Sequence, residues 1–199
     1  MIKQYGNVEI AGRGNFVGLP PVGAYEGEVK QVRFVEADGG KQRYDSLEFM
    51  LDITEGEYAG RYTEVYNDQK EKFGNATYKG IFRLRCPGKN DGDDADWVAR
   101  RFGNNIWCIQ ESNPGYKWDG DEQKLKGKKV GINVRKYMYT FDGQDRESTE
   151  IGQLETIADV KAGKCKEMKQ RDRRKKNEEA DSTDGSSFTD VSKAVEVPW

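Results

Sequence analysis

At 199 residues, 34% charged and 35% hydrophobic, with a mean hydropathy of −0.96, the chain suits one main domain plus appendages. No apolar run approaches the roughly 20 residues that cross a bilayer, and no His is present, which removes Ser-His-Asp, Cys-His and imidazole–zinc schemes. The net charge of −2 hides a segregation: residues 1–160 carry 23 Lys/Arg and 27 Asp/Glu, residues 161–176 nine and two, and residues 177–199 one and six.

Residues 1–22 are rich in Gly and Asn (Gly12, Gly14, Asn15, Gly18) and close on Leu19-Pro20-Pro21, the composition of a flexible arm. Met1 to Gly6 offer no continuous apolar segment of signal-peptide type, so the expectation is a cytoplasmic protein. Residues 25–36 mix alternation with β-branched and aromatic side chains, and Asp38-Gly39-Gly40 follows as a turn. The next strand, residues 44–53, sets Leu47, Phe49, Leu51 and Ile53 on one face against Ser46, Glu48, Met50 and Asp52, which predicts a half-buried strand. Glu55-Gly56 turns the chain into a third strand over residues 58–67.

Residues 70–86 read two ways, because Phe73, Thr77, Ile81 and Leu84 have helical spacing while Gly74 and Gly80 weaken a helix. The acids closing the loop at 87–96 can cap a helix whose stripe is Val98, Phe102, Ile106 and Ile109, and Asn113-Pro114-Gly115 stops it. Trp97 and Trp107 lie on or beside that stripe and are expected in the core. A hairpin follows, with strands at 128–141 and 147–154 around Asp142-Gly143-Gln144. Residues 160–176 form a basic helix or extension. The polar acidic tail, 177–199, has the composition of a disordered segment.

Three strands, a helical middle and a hairpin predict a mainly β domain over residues 23–160. The arrangement is that of a five-stranded Greek-key barrel of the OB type with a helix between strands 3 and 4. No repeat of solenoid period occurs. Cys86, Cys108 and Cys165 are odd in number and widely spaced, which argues against a disulfide framework or a zinc knuckle. The acids of residues 90–96 lack the spaced ligands and terminal Glu of a calcium loop and read as a turn and cap. Glu28, Glu48 and Asp52 would share an outer sheet face, where they suit either Mg²⁺ for a nuclease or ordinary pairing with Lys and Arg.

The denser signal is aromatic residues among cations. Ile132 and Val134 point one way along the fourth strand, while Arg135, Tyr137, Tyr139 and Phe141 share the other face. Stacked bases beside Arg and Lys that follow the phosphates are how single strands are held without sequence preference. The same face also suits a second small core or a dimer seam, so a homo-oligomer is admissible. Tyr62 and Tyr66, opposite Val65 in the third strand and near Arg61, offer a similar platform. Cations gather at Arg83, Arg85 and Lys89, at Arg100 and Arg101, and at Lys124, Lys126, Lys128 and Lys129; Tyr116 and Trp118 occupy a loop that would reach over the groove. The end of the tail, Val197-Pro198-Trp199, places a large hydrophobe on an acidic leash, the form of an anchor for a partner's pocket.

Two stretches carry a resemblance. From Gly23 through YDSLEFMLDITEGEYAG to KKVGINVRKYMYTFDGQDRESTEIGQLETIADVKAGK, the overall run resembles a phage replication and recombination family of OB type. The tail resembles the acidic C-terminal peptide of bacterial single-stranded DNA-binding proteins, which ends in Pro-Phe and recruits replication and repair enzymes; here Trp199 replaces the Phe and the acids are more dispersed. The resemblance implies a phage-encoded, non-enzymatic protein that coats single-stranded DNA in the host cytoplasm, needs no cofactor or metal, and recruits replication and recombination proteins through its tail. The alternatives are a metal-dependent nuclease or nuclease accessory, and a protein-interaction or inhibitor module that never meets DNA.

Overall fold

Alternating apolar side chains build most of the sheet. The computed structural model describes residues 17–39, 43–88 and 91–174. Its strands are β1 (Gly23–Val35), β2 (Ser46–Ile53), β3 (Ile81–Arg85), β4 (Lys129–Phe141), β5 (Gln144–Glu155) and the two-residue β6 (Arg171–Asp172); its α-helices are α1 (Arg61–Phe73), α2 (Ala95–Ser112) and α3 (Ile157–Lys161). The strands pair antiparallel in the order β3-β2-β1-β4-β5, and β6 joins β4 in parallel. The expected closed barrel is not seen: no ladder joins β3 to β5 among the described residues, although their Cα atoms approach within 8 Å.

β1 organises the sheet by pairing with β4 from Gly23 to Glu28 and with β2 from Gly27 to Val35, with a register shift between Val29 and Gln31. Gly27 is needed where both partners converge, since a Cβ there would lie 2.8 Å from the Asp52 carbonyl oxygen. Val29, Phe49, Leu51, Leu84, Ile109, Leu125, Val130, Ile132 and Val134 are fully buried. Each such side chain contributes roughly 1.5–3 kcal/mol of burial.

Two expectations change and a third is narrowed. β2 is buried on both faces along all eight residues, because Asp52 lies under the start of α1 and Glu48 lies between Arg33 of β1 and Arg83 of β3. Residues 61–67 are helix, not a third strand. Tyr62, Val65 and Tyr66 are spaced i, i+3, i+4 and are all buried, and the Asp52 carboxylate accepts from the N–H groups of Tyr62 (3.1 Å) and Thr63 (3.2 Å) and from the Thr63 hydroxyl. The third strand is β3, whose buried Phe82 and Leu84 alternate with more open neighbours. Finally, of the helix or extension expected over residues 160–176, the described residues up to Arg174 are helical only at the start. Thr156 caps α3, the helix ends at Lys161, and after a turn the chain has no regular structure until β6.

α2 forms where its stripe predicts, with Val98, Ile106 and Ile109 buried. Its far end is clasped to β4: Asn113 Nδ2 donates to the carbonyls of Ile109 and Lys129, and its Oδ1 accepts from Lys129 N–H at 3.0 Å. Trp97 and Trp107 are not core residues. Each is 50% exposed on the outer face of this helix.

Candidate nucleic-acid interface

The β4–β5 hairpin outruns the rest of the sheet. β1 ends its pairing with β4 at Gly23 opposite Val134, so from Arg135 onward β4 has β5 on one side and only β6 on the other. Burial falls accordingly, from Val134 in the core to Phe141, which is 59% exposed. Along this projecting segment Tyr137 and Tyr139 lie side by side, ring centroids 5.5 Å apart and planes inclined by 35°. β6 brings Arg171 opposite Tyr137, and the next residue but one, Arg173, places its guanidinium 4.7 Å from the Tyr137 ring centroid.

One carboxylate serves this group. Glu150, opposite Arg135 in the ladder, accepts from Arg135 Nε at 2.9 Å, pairs closely with Arg173 and lies 4.0 Å from Arg171. Arg101 of α2 adds a fourth guanidinium. Burial first and then the Arg135 charge lower its pKa, while burial and then Arg173 lower that of Arg171, so cations crowd against one another here. Space for Arg135 comes from a β-bulge in β5, where the register shifts past Gly152. A Cβ at Gly152 would lie 2.9 Å from Arg135 Cδ and 2.7 Å from Met168 Sδ.

No protein-family model matches the chain, and neither does any curated protein. The assignment therefore rests on the site itself. Of the residues singled out from sequence, Arg101, Arg135, Tyr137 and Tyr139 come together at the hairpin. Arg171, Arg173 and Glu150 complete the group. The basic run marked the two arginines, but nothing in the sequence showed that they return to β4.

The remaining candidates lie elsewhere. Tyr62 and Tyr66 are in the core, at 1% and 8% exposure, and cannot stack on a base. Arg61 sits at the start of α1, paired with Glu64 at 3.1 Å and placed 5.1 Å from the Tyr58 ring centroid. Arg83 is matched to Glu48; Arg85 is matched to the buried Asp91 at 2.5 Å and lies 3.3 Å from the Tyr44 ring centroid. Arg100 is exposed and donates back to the Asp96 carbonyl at 3.2 Å. Tyr116 and Trp118 are partly buried against the core. Lys128 covers the Tyr116 ring at 4.5 Å, and Trp118 packs edge-on to Phe102. Lys128 precedes β4, about 30 Å from Tyr137 at the usual strand rise. Lys89 and Val197-Pro198-Trp199 lie outside the described residues.

The three carboxylates considered for Mg²⁺ are each engaged separately. Asp52 caps α1, Glu28 pairs with Lys30 at 3.3 Å, and Glu48 is held by two arginines. Among the described residues no group of three or more His, Cys, Asp or Glu could hold a metal ion. The thiols are poor nucleophiles, since burial pushes Cys86 up to about 11 and Cys108 up to about 12.

Proposed function

We propose that this protein binds single-stranded DNA without catalysis and with little sequence preference, coating it during phage replication or recombination while the acidic tail recruits partner proteins. The observation that carries the reading is the projecting hairpin, on which an adjacent Tyr137–Tyr139 pair lies beside three guanidiniums, those of Arg135, Arg171 and Arg173, that share the one carboxylate of Glu150. Tyrosine faces suit unpaired bases, and surplus arginine suits the phosphates between them; a duplex keeps its base faces hidden. The fold is read as an opened OB type. Its strand order, the helix α2 between β3 and β4, and the approach of β3 to β5 fit that topology. In OB domains the loop joining strands 4 and 5 is one of those that take oligonucleotides, and here the site lies on the two strands that lead into and out of that connection.

Anisotropy titration of a labelled poly-dT oligonucleotide at about 50 and 200 mM salt tests this, because phosphate contacts make affinity fall steeply with salt. Tyr137→Ala and Tyr139→Ala are each expected to weaken binding, by roughly 1–3 kcal/mol for each base they stack. No binding at either salt, or binding indifferent to both substitutions, refutes the proposal and favours a protein-interaction role.

A further inference from the structure

We infer that Trp97, on the outer face of α2, is a second base-stacking residue of the same single-strand site, joined to the hairpin through Arg101. This rests on the single-stranded DNA reading above. The Arg101 guanidinium lies 5.3 Å from the Trp97 ring centroid, and the indole is 50% exposed. Asn105 fixes the helix against the hairpin: its Nδ2 donates to the Arg101 carbonyl at 2.8 Å and its Oδ1 accepts from Leu154 N–H at 3.1 Å. Two residues before Leu154 stands Gly152, the position over which Arg135 Cδ and Nε pass. Contacts thus run from Tyr139 and Tyr137 through Arg173 and Glu150 to Arg135, and from Arg101 to Trp97, and Asn105 ties the second group to β5 two residues from the position that Arg135 crosses.

A strand needs cations for its phosphates between aromatic faces for its bases, and this order supplies both. Arg101 has no ion-pair partner among the described residues, which leaves its charge available to a phosphate. One exposed tryptophan would carry no such meaning, since single surface hydrophobes are ordinary. Trp107 provides the contrast. It is as exposed as Trp97 and on the same helix, but it lies ten residues on, roughly 15 Å along the axis, and no cation stacks on it among the described residues.

The test uses the full chain and a labelled dT oligonucleotide of about 20 nucleotides, long enough to exceed the site of one OB domain. Trp97→Ala is expected to weaken binding about five- to tenfold, the lower part of the range for one stacked base, while Trp97→Tyr stays within about threefold of the parent. Trp107→Ala is expected to bind as the parent does. Tryptophan emission should be quenched on binding, with the quenched fraction reduced in Trp97→Tyr but not in Trp107→Ala. Unchanged affinity in Trp97→Ala while Tyr137→Ala binds weakly overturns this inference and leaves the hairpin reading standing. Failure of the parent to bind overturns both. Should Trp97→Ala not fold, Trp97→Tyr decides alone: undiminished quenching in that variant overturns the inference.

Discussion

Glu48 is a strand residue with two guanidiniums in place of water. Arg33 Nε donates to it at 2.6 Å from β1, and Arg83 pairs with it from β3. Burial opposes its charge, but Arg83 and then Arg33 outweigh that and hold the carboxyl below the usual Glu range. The folded-state pKa is therefore lower than the unfolded one. The resulting stabilisation is complete above the unfolded value and disappears as pH falls through the folded value. Glu48→Gln is expected to lose about 1–2 kcal/mol at neutral pH, a figure reduced for the partial exposure of both arginines. Urea melts of both proteins at pH 7 and at about pH 3 should show the gap narrowing on acidification, because only the parent has this charge to lose. A gap of the same size at both pH values would show that the charge is not what stabilises.

At the scale of elements, α1 depends on a cap from outside its own sequence. Asp52 is the last residue but one of β2, nine residues before the helix begins, yet it serves the Tyr62 and Thr63 N–H groups. Asp52→Ala leaves these donors unsatisfied in a buried place and is expected to cost about 2–3 kcal/mol. A lowered urea midpoint with an unchanged slope checks it; a midpoint equal to the parent's would mean that water or Thr63 replaces the cap. The same remoteness made α1 hard to read. Tyr62, Val65 and Tyr66 fit a short strand as well as one helical turn, and Asp52 looked like an outer-face acid. β1, β2, α2, β4 and β5 were legible because each carries its period over eight or more residues. Within the site, the hairpin aromatics could be read directly. Arg171 and Arg173 could not be placed, since β6 contributes two residue pairs and no period at all. Trp97 misled for a related reason: an indole one residue from the apolar stripe faces in or out according to packing that the sequence does not state.

For the whole molecule the decisive quantity is where charge sits. A chain of net −2 presents a cationic site because the acids are partitioned elsewhere, six of them in residues 177–199 against one base. Deleting that segment takes the formal charge to +3. On the proposed function, the truncated protein should bind poly-dT more tightly at low salt, with the advantage shrinking as salt rises and screens the competition. Parallel titrations of both forms at two salt concentrations measure this. Equal affinities at low salt would show that the tail does not compete for the DNA surface.

The parallel pairing of β6 also has a thermodynamic consequence. Arg171 lies on, and Arg173 just beyond, a strand whose ladder with β4 is two residue pairs long, whereas Arg135 and Arg101 stand on long, well-packed elements. Short ladders open more readily than the core they border, so half of the site's positive charge is subject to a local docking equilibrium. On the proposed function, a polyanion lying across both halves would favour the docked state, and docking would in turn tighten its hold. Affinity and local order would therefore be linked through the last few described residues of the chain.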